Sequence, residues 1–279
     1  VAPSKKTAVI EWVFNNKYDA ASGELSDEVV TFDQLEEAIV AAGNGLKTTN
    51  PANFWKDITR HDPNRSWPSS VFEKGYTGSD AIGVADRACF KFVKAPAGQV
   101  TPFVNQLAFD RERVATHVVQ SLSMPLAMKA LGRSGENWIA QVAAQLGVIE
   151  TFLAVFSPRE ALEVSFLQTG VKMRNGEVDA AFSVTDEVGQ WLIAAEAKGR
   201  SENLHEAQIA RAAHQLNEDV RNRAGSLEHV LGVIPFAMKV VGRSEIWVVE
   251  FAPVESADSA LTIVAEGIVK LEPAVAGIG

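Results

Sequence analysis

Cysteine is almost missing from the chain: Cys89 is the only one in 279 residues. A single cysteine excludes an internal disulfide and suits a reducing compartment, so a cytoplasmic location is expected. No Cys/His cluster has the spacing of a zinc site. Long apolar runs are missing too. None approaches the roughly 18–20 residues that span a bilayer, so no membrane association is expected. The opening segment VAPSKKTAVIEWVF pairs lysines with apolar residues, but Glu11 interrupts it, and a secretory signal needs a longer unbroken stretch. There is no internal repeat, no low-complexity tract, no serine elbow, no P-loop and no dinucleotide fingerprint. His205 and His214 fall on different sides of one expected helix and form no metal-binding set.

Positive charge is also scarce. Lys and Arg number 26 against 35 Asp and Glu, a net charge of −9. This weighs against a protein that coats nucleic acid through bulk charge. It does not exclude an enzyme that gathers its cations in one cleft and needs carboxylates for a metal.

What is present is ample apolar material. Hydrophobic residues make up 47% and charged residues 22%, values of an ordinary globular chain. The length suits one large domain or two smaller ones. Residues 1–95 read as mixed short elements, mostly helical. Phe32, Leu35, Ile39 and Val40 repeat at helical spacing, with Asp33, Glu36 and Glu37 elsewhere, and Gly43 and Gly45 follow as a stop. Asn50-Pro51 looks like a cap and first turn for a helix over 51–60. A turn-rich stretch, His61 to Ser70, leads to a hairpin around Gly75–Gly78. Helix, turn, helix and hairpin in this order resemble a winged helix. Asn50, Asn53, Lys56 and Arg60 then share or border one face, suited to base edges and phosphates. The competing reading is a helical lobe that only packs. Residues 95–105, with two prolines and a glycine, read as a linker.

Residues 106–279 are more regular. Ser134 is the expected N-cap of one amphipathic helix running from Gly135 to Phe156 and closed by Pro158. Strands are expected at 162–167, 177–184 and 191–198, the last two joined by the short polar turn Asp186 to Gly189 as an antiparallel hairpin. A helix from about Glu202 to Arg223 follows, then strands at 229–235 and 245–251, and a last helix near 257–269. This is an α/β (α+β) pattern, a mixed central sheet flanked by helices.

Within that pattern Asp179 stands near the start of one strand, and Glu196 and Lys198 near the end of the next. Glu196 and Lys198 leave the same face, and the hairpin brings Asp179 beside them. Adjacent carboxylates repel unless a cation compensates them, and Mg²⁺ takes such oxygen ligands. The Ala197 carbonyl can supply another oxygen. A lysine beside the metal suits charge growing on a phosphate. The competing reading, an exposed ion pair at a strand end, fits poorly with the apolar run Leu192 to Ala195.

Asp179 followed by Glu196-Ala197-Lys198, on neighbouring strands between helices, resembles the PD-(D/E)XK nuclease superfamily, which includes most type II restriction endonucleases. The resemblance covers about Ser134 to Phe251; Val178 stands where proline precedes the first acid in the motif's name. It implies an αβββαβ core and Mg²⁺-dependent cleavage of double-stranded DNA, with Asp179 and Glu196 as metal ligands and Lys198 catalytic. Members often carry a glutamate on the preceding helix, for which Glu136 and Glu150 compete; Glu136, nearer the helix start, is preferred, although it also suits a helix N-terminus electrostatically. Many carry a glutamine on the following helix, where Gln208, Arg211 and Gln215 form a polar stripe that equally suits a solvated face. Lys172, Arg174 and Arg200 flank the motif as phosphate contacts or ordinary surface charges. A restriction enzyme acting as a homodimer is the leading expectation. A repair or recombination nuclease and a non-cleaving winged-helix regulator are the alternatives.

Overall fold

The computed structural model describes residues 4–47, 52–59, 63–81, 87–103, 107–173, 176–222, 227–257 and 259–279. The chain divides into two compact units, Val1–Asn105 and Gln106–Gly279. Among the described residues no single helix is long and apolar enough to cross a membrane.

The first unit mixes helices and strands. Helix α1 (Lys5–Lys17) is followed by the short strands β1 (Tyr18–Asp19), β2 (Glu24–Leu25) and β3 (Val29–Thr31). Helix α2 (Phe32–Ala42) starts on a capping box, in which Thr31 and Gln34 satisfy each other's backbone donors, and stops at Gly43 in the left-handed conformation. Then come α3 (Ala52–Thr59), two short helices α4 (Pro63–Ser66) and α5 (Ser69–Phe72), and strands β4 (Tyr76–Asp80) and β5 (Ala88–Lys94). The three-stranded sheet has the order β3-β5-β4. Two sequence expectations need correction. The stretch after α3 is helical, because Pro63 and Pro68 start short helices where a proline needs no donor. The hairpin joins β4 to β5 and does not turn at Gly78, which lies inside β4 against the faces of Trp55 and Trp67. A side chain at Gly78 would meet those rings at 2.6–2.7 Å. The expected linker packs on this unit through Phe103, against Trp55 and Trp67.

The second unit is built on one mixed seven-stranded sheet, order β6-β12-β11-β10-β9-β8-β7. Strand β6 (Thr116–Gln120) and helix α6 (Leu126–Leu131) come first. Helices α7 (Glu136–Gln145) and α8 (Val148–Val155) follow, then β7 (Glu163–Met173), β8 (Gly176–Thr185) and β9 (Gln190–Lys198). Helix α9 (Glu206–Asn222) crosses to β10 (Val230–Gly242), and β11 (Glu245–Phe251) and β12 (Ile263–Glu272) complete the sheet. Strands β7, β8 and β9 pair antiparallel, and β10 lies parallel to β9. The α9 crossover makes that parallel pairing possible.

Helices cover both faces. Ile139, Val142, Ile149 and Phe152 pack with Phe182, Ile193, Ala195 and Phe236. Ala210, Ala213 and Leu216 of α9 pack with Leu192, Ala194 and Val233. Alternation therefore sends Glu196 and Lys198, in step with Leu192 and Ala194, to the α9 face. The hairpin register is fixed at its far end. Asp186 accepts the N–H groups of Val188 and Gly189 at 2.9 and 3.0 Å and is paired with Arg159.

Several expected boundaries differ. The single long helix is two, bent by 66° where Gly147 adopts φ 61°; a left-handed residue ends a helix even when the apolar spacing continues. Gly135, not Ser134, occupies the N-cap of α7. The expected last helix is β12, whose β-branched residues suit a strand and whose Gly267 admits the Phe156 ring against its backbone. Strand β10 runs through Pro235, which is tolerated because β10 pairs there with β9 alone; pairing with β11 starts at Phe236.

Candidate metal centre

The site lies where β8 and β9 stop pairing. Their register runs from Thr185–Gln190 to Ala180–Ala195, and the next residues are Asp179 and Glu196. Residues opposite each other in an antiparallel pair share a face, so both carboxylates project together. The Ala197 N–H takes the Asp179 side chain as its acceptor, Oδ2 at 2.8 Å. From the neighbouring α7, Glu136 completes an acidic group: ligand oxygens of Glu136, Asp179 and Glu196 all lie within 4.8 Å of one another.

Lys198 is set among them. Its Nζ is 2.5 Å from Glu136 Oε1 and 2.6 Å from Glu196 Oε1. Gln208, in the first turn of α9, donates from Nε2 to the same Glu196 oxygen. Glu202, buried in the loop after β9, accepts the Gly199 N–H at 3.0 Å and holds that loop against the strand end.

The electrostatics follow from burial. Glu196 is 4% exposed and Lys198 8%. Burial, reinforced by the charge of Asp179, pushes the Glu196 carboxyl up to about 8. Burial likewise raises Asp179 to about 6, against the pull of the Ala197 N–H and the Lys198 ammonium. Burial disfavours the Lys198 ammonium, but Glu196 and Glu136 outweigh it and raise its pKa. One ammonium faces three carboxylates. Such a group is under-compensated, and oxygen donors this close suit a hard divalent cation. The donor set fits a metal, without by itself distinguishing Mg²⁺ from other oxygen-seeking ions.

The structure brings five of the sequence-expected residues together: Glu136, Asp179, Glu196, Lys198 and Gln208. Glu150 stands on α8 beyond the bend and outside the acidic group; its Oε2 is buried with no hydrogen-bond partner among the described residues, and burial raises its pKa. Lys172 and Arg200 are exposed, on β7 and just past β9. Asn53 and Lys56 are exposed on α3, while Asn50, Arg60 and Arg174 lie outside the described residues. Two residues escaped the sequence reading. Glu202 carries no local signal. Lys239 does: it is the lone charge in the apolar run of β10, and it is the register partner of Lys198.

In comparisons with family models, with curated proteins and with solved structures, nothing matches this chain.

Proposed function

We propose that the second unit is a divalent-metal-dependent nuclease that hydrolyses phosphodiester bonds in double-stranded DNA. The observation that carries this reading is the Lys198 ammonium set between Glu136 and Glu196, inside a cluster of three carboxylates. Glu136, Asp179 and Glu196 would hold the ion, which we take to be Mg²⁺. The Ala197 carbonyl is a further candidate, because an extended residue directs its N–H and C=O to the same edge, here toward Asp179. The bound ion would polarise the phosphate and lower the pKa of an attacking water.

The protein's own groups then have definite tasks. Glu196 is oriented by Gln208 through one oxygen, and its other oxygen would be available to hold an ion. Asp179 is held through one oxygen by Ala197, leaving the other for the ion. Lys198 neutralises carboxylate charge before the ion binds, and afterwards is placed to stabilise charge on the phosphate.

The order α7-α8-β7-β8-β9-α9-β10, with α7 and α8 as a bent helical pair and β9 parallel to β10, agrees with an αβββαβ restriction-endonuclease-like core. In the first unit, the order of α1, β3, α2, α3, β4 and β5, with β5 between β3 and β4, agrees with a winged helix that would present α3 to DNA. Together they favour a site-specific endonuclease of the restriction type, working as a homodimer so that both strands of a symmetric site are cut. The test is incubation of the full chain with plasmid DNA. Discrete fragments with Mg²⁺ and none with EDTA support the reading; DNA binding without cutting under any divalent metal sinks it and favours a regulator.

A further inference from the structure

A second lysine stands beside Lys198. Lys239 of β10 is its Cα partner in the parallel β9–β10 register, and the pairing ends on these two residues. Partners across a sheet lie about 4.8 Å apart and project from one face. Both side chains therefore start from the α9 face, Lys198 at the carboxyl end of β9 and Lys239 three residues before that of β10. That is where open α/β sheets hold their ligands.

The two lysines differ in what they touch. The Lys198 ammonium is committed to Glu136 and Glu196. Lys239 is half-buried, yet its ammonium makes no ion pair or hydrogen bond among the described residues. The buried Glu202 acts on it only as a nearby charge, and that carboxylate already accepts the Gly199 N–H. Burial accordingly depresses the Lys239 pKa. A half-desolvated cation without a partner is costly to keep. The cost is offset when an anion completes its coordination.

We propose that Lys239 is a substrate-binding residue, contacting a non-bridging phosphate oxygen of the DNA strand that lies across the metal centre. This rests on the nuclease reading and deepens it. The division of labour is electrostatic. Lys198 is shared with the carboxylates and serves the charge that grows on the phosphate during cleavage, whereas Lys239 offers the incoming phosphodiester anion a cation outside that cluster. The anion is taken to be phosphate because a DNA strand cut at the metal centre brings its own phosphodiester charges to this part of the sheet.

The test compares the full-length wild type with Lys239→Met, which keeps the apolar stem and removes the charge, and with Lys239→Arg. Duplex DNA binding is measured in Ca²⁺ across a salt series, cleavage is measured at single turnover in Mg²⁺, and Mg²⁺ affinity is measured by calorimetry without DNA. For Lys239→Met we expect a salt slope smaller by about 0.9. Cleavage should slow roughly ten- to a hundredfold, the loss of one charge-assisted contact. Mg²⁺ affinity should stay within about twofold, because no metal ligand is altered. Lys239→Arg should recover most of the binding. An unchanged salt slope and cleavage rate in Lys239→Met, with wild type active, overturns the assignment. So does a loss of Mg²⁺ affinity equal to the loss of cleavage, which would make Lys239 a support of the metal site. If wild type neither binds nor cuts DNA, the nuclease reading fails and this inference falls with it.

Discussion

The carboxylate of Asp179 accepts the backbone N–H of Ala197, 2.8 Å away, just past the last paired rung of the β8–β9 ladder at Ala180 and Ala195. A side chain thus takes over where the backbone pairing ends. Asp179→Asn keeps an acceptor for that N–H and removes the charge. It should abolish metal-supported cleavage while leaving the fold intact, with metal-free stability at pH 8 equal to or above wild type. Asp179→Ala should also lose cleavage, and in addition leave the N–H unpaired at a cost of about 1–3 kcal/mol. Thermal melts of both variants separate the two effects; equal destabilisation by Asn and Ala would mean that the hydrogen bond is unimportant.

The raised carboxyl groups make stability depend on pH with a definite sign. Asp179 at about 6 and Glu196 at about 8 lie above their unfolded values of roughly 4. A carboxyl that binds its proton more tightly when folded favours folding at low pH, and that contribution is lost as pH rises through the folded pKa. The metal-free protein should therefore lose stability as pH rises from about 4 to about 8. Asp186 has the opposite sign. Against burial, its bonds from Gly189, Arg159 and Val188 hold it below the usual range, so its contribution is lost only as pH falls below about 4. Melting curves across this range, with and without Mg²⁺, check the claim. Metal should restore stability most at the alkaline end; a metal-free melting temperature that climbs from pH 5 to 8 contradicts it.

Lys198 cannot be treated as a purely catalytic surface group. It is 8% exposed and paired with two carboxylates. Replacing it by Met leaves three close carboxylates with no ammonium among them. Breaking a buried pair in this way costs roughly 3–5 kcal/mol, less whatever proton uptake by the carboxylates recovers. Lys198→Met should therefore melt earlier than wild type without metal, recover with Mg²⁺, and bind Mg²⁺ more tightly while failing to cut. A variant that cleaves at the wild-type rate removes Lys198 from the chemistry.

Much of this site could be read from the sequence because it breaks a pattern. Glu196 and Lys198 interrupt an apolar strand, and the short turn at Asp186–Gly189 fixes which residue of the preceding strand faces them. The same reading applied to β10 would have found Lys239. The choice between Glu136 and Glu150 was not legible, because apolar spacing continues smoothly through Gly147 while the backbone turns by 66°. Nor was β12, whose β-branched residues 263–272 suit a strand but whose place between β11 and β6 no local pattern announces. Tertiary pairing completes what that local propensity only favours.

Gln208 offers a test of whether the α9 polar stripe serves the site. Its amide donates to the Glu196 oxygen that also faces Lys198. Gln208→Ala removes an orienting partner and no metal ligand, so Mg²⁺ affinity or cleavage should fall about 10–100-fold, in line with other outer-shell losses. Arg211, one turn on and half-buried, should give a smaller effect on metal affinity when changed to Ala. Titration calorimetry with Mg²⁺ distinguishes them, and equal effects would reduce the stripe to a solvated face.

The exposed side of α3 calls for a different kind of measurement. Phe54, Trp55 and Ile58 bury one side of this helix, while Asn53 and Lys56 stay exposed. If α3 enters a groove, the two residues should fail differently. Lys56→Ala should weaken binding to all sequences alike and lower the salt slope by about 0.9. Asn53→Ala should relax preference at one base position, by about 1–3 kcal/mol, with little change in the slope. Neither substitution touches the acidic cluster, so Mg²⁺ binding should be unaffected in both. Binding selections on random duplexes in Ca²⁺ provide the readout, and wild-type affinity, slope and sequence preference in both variants would leave α3 as a packing helix with no part in DNA recognition.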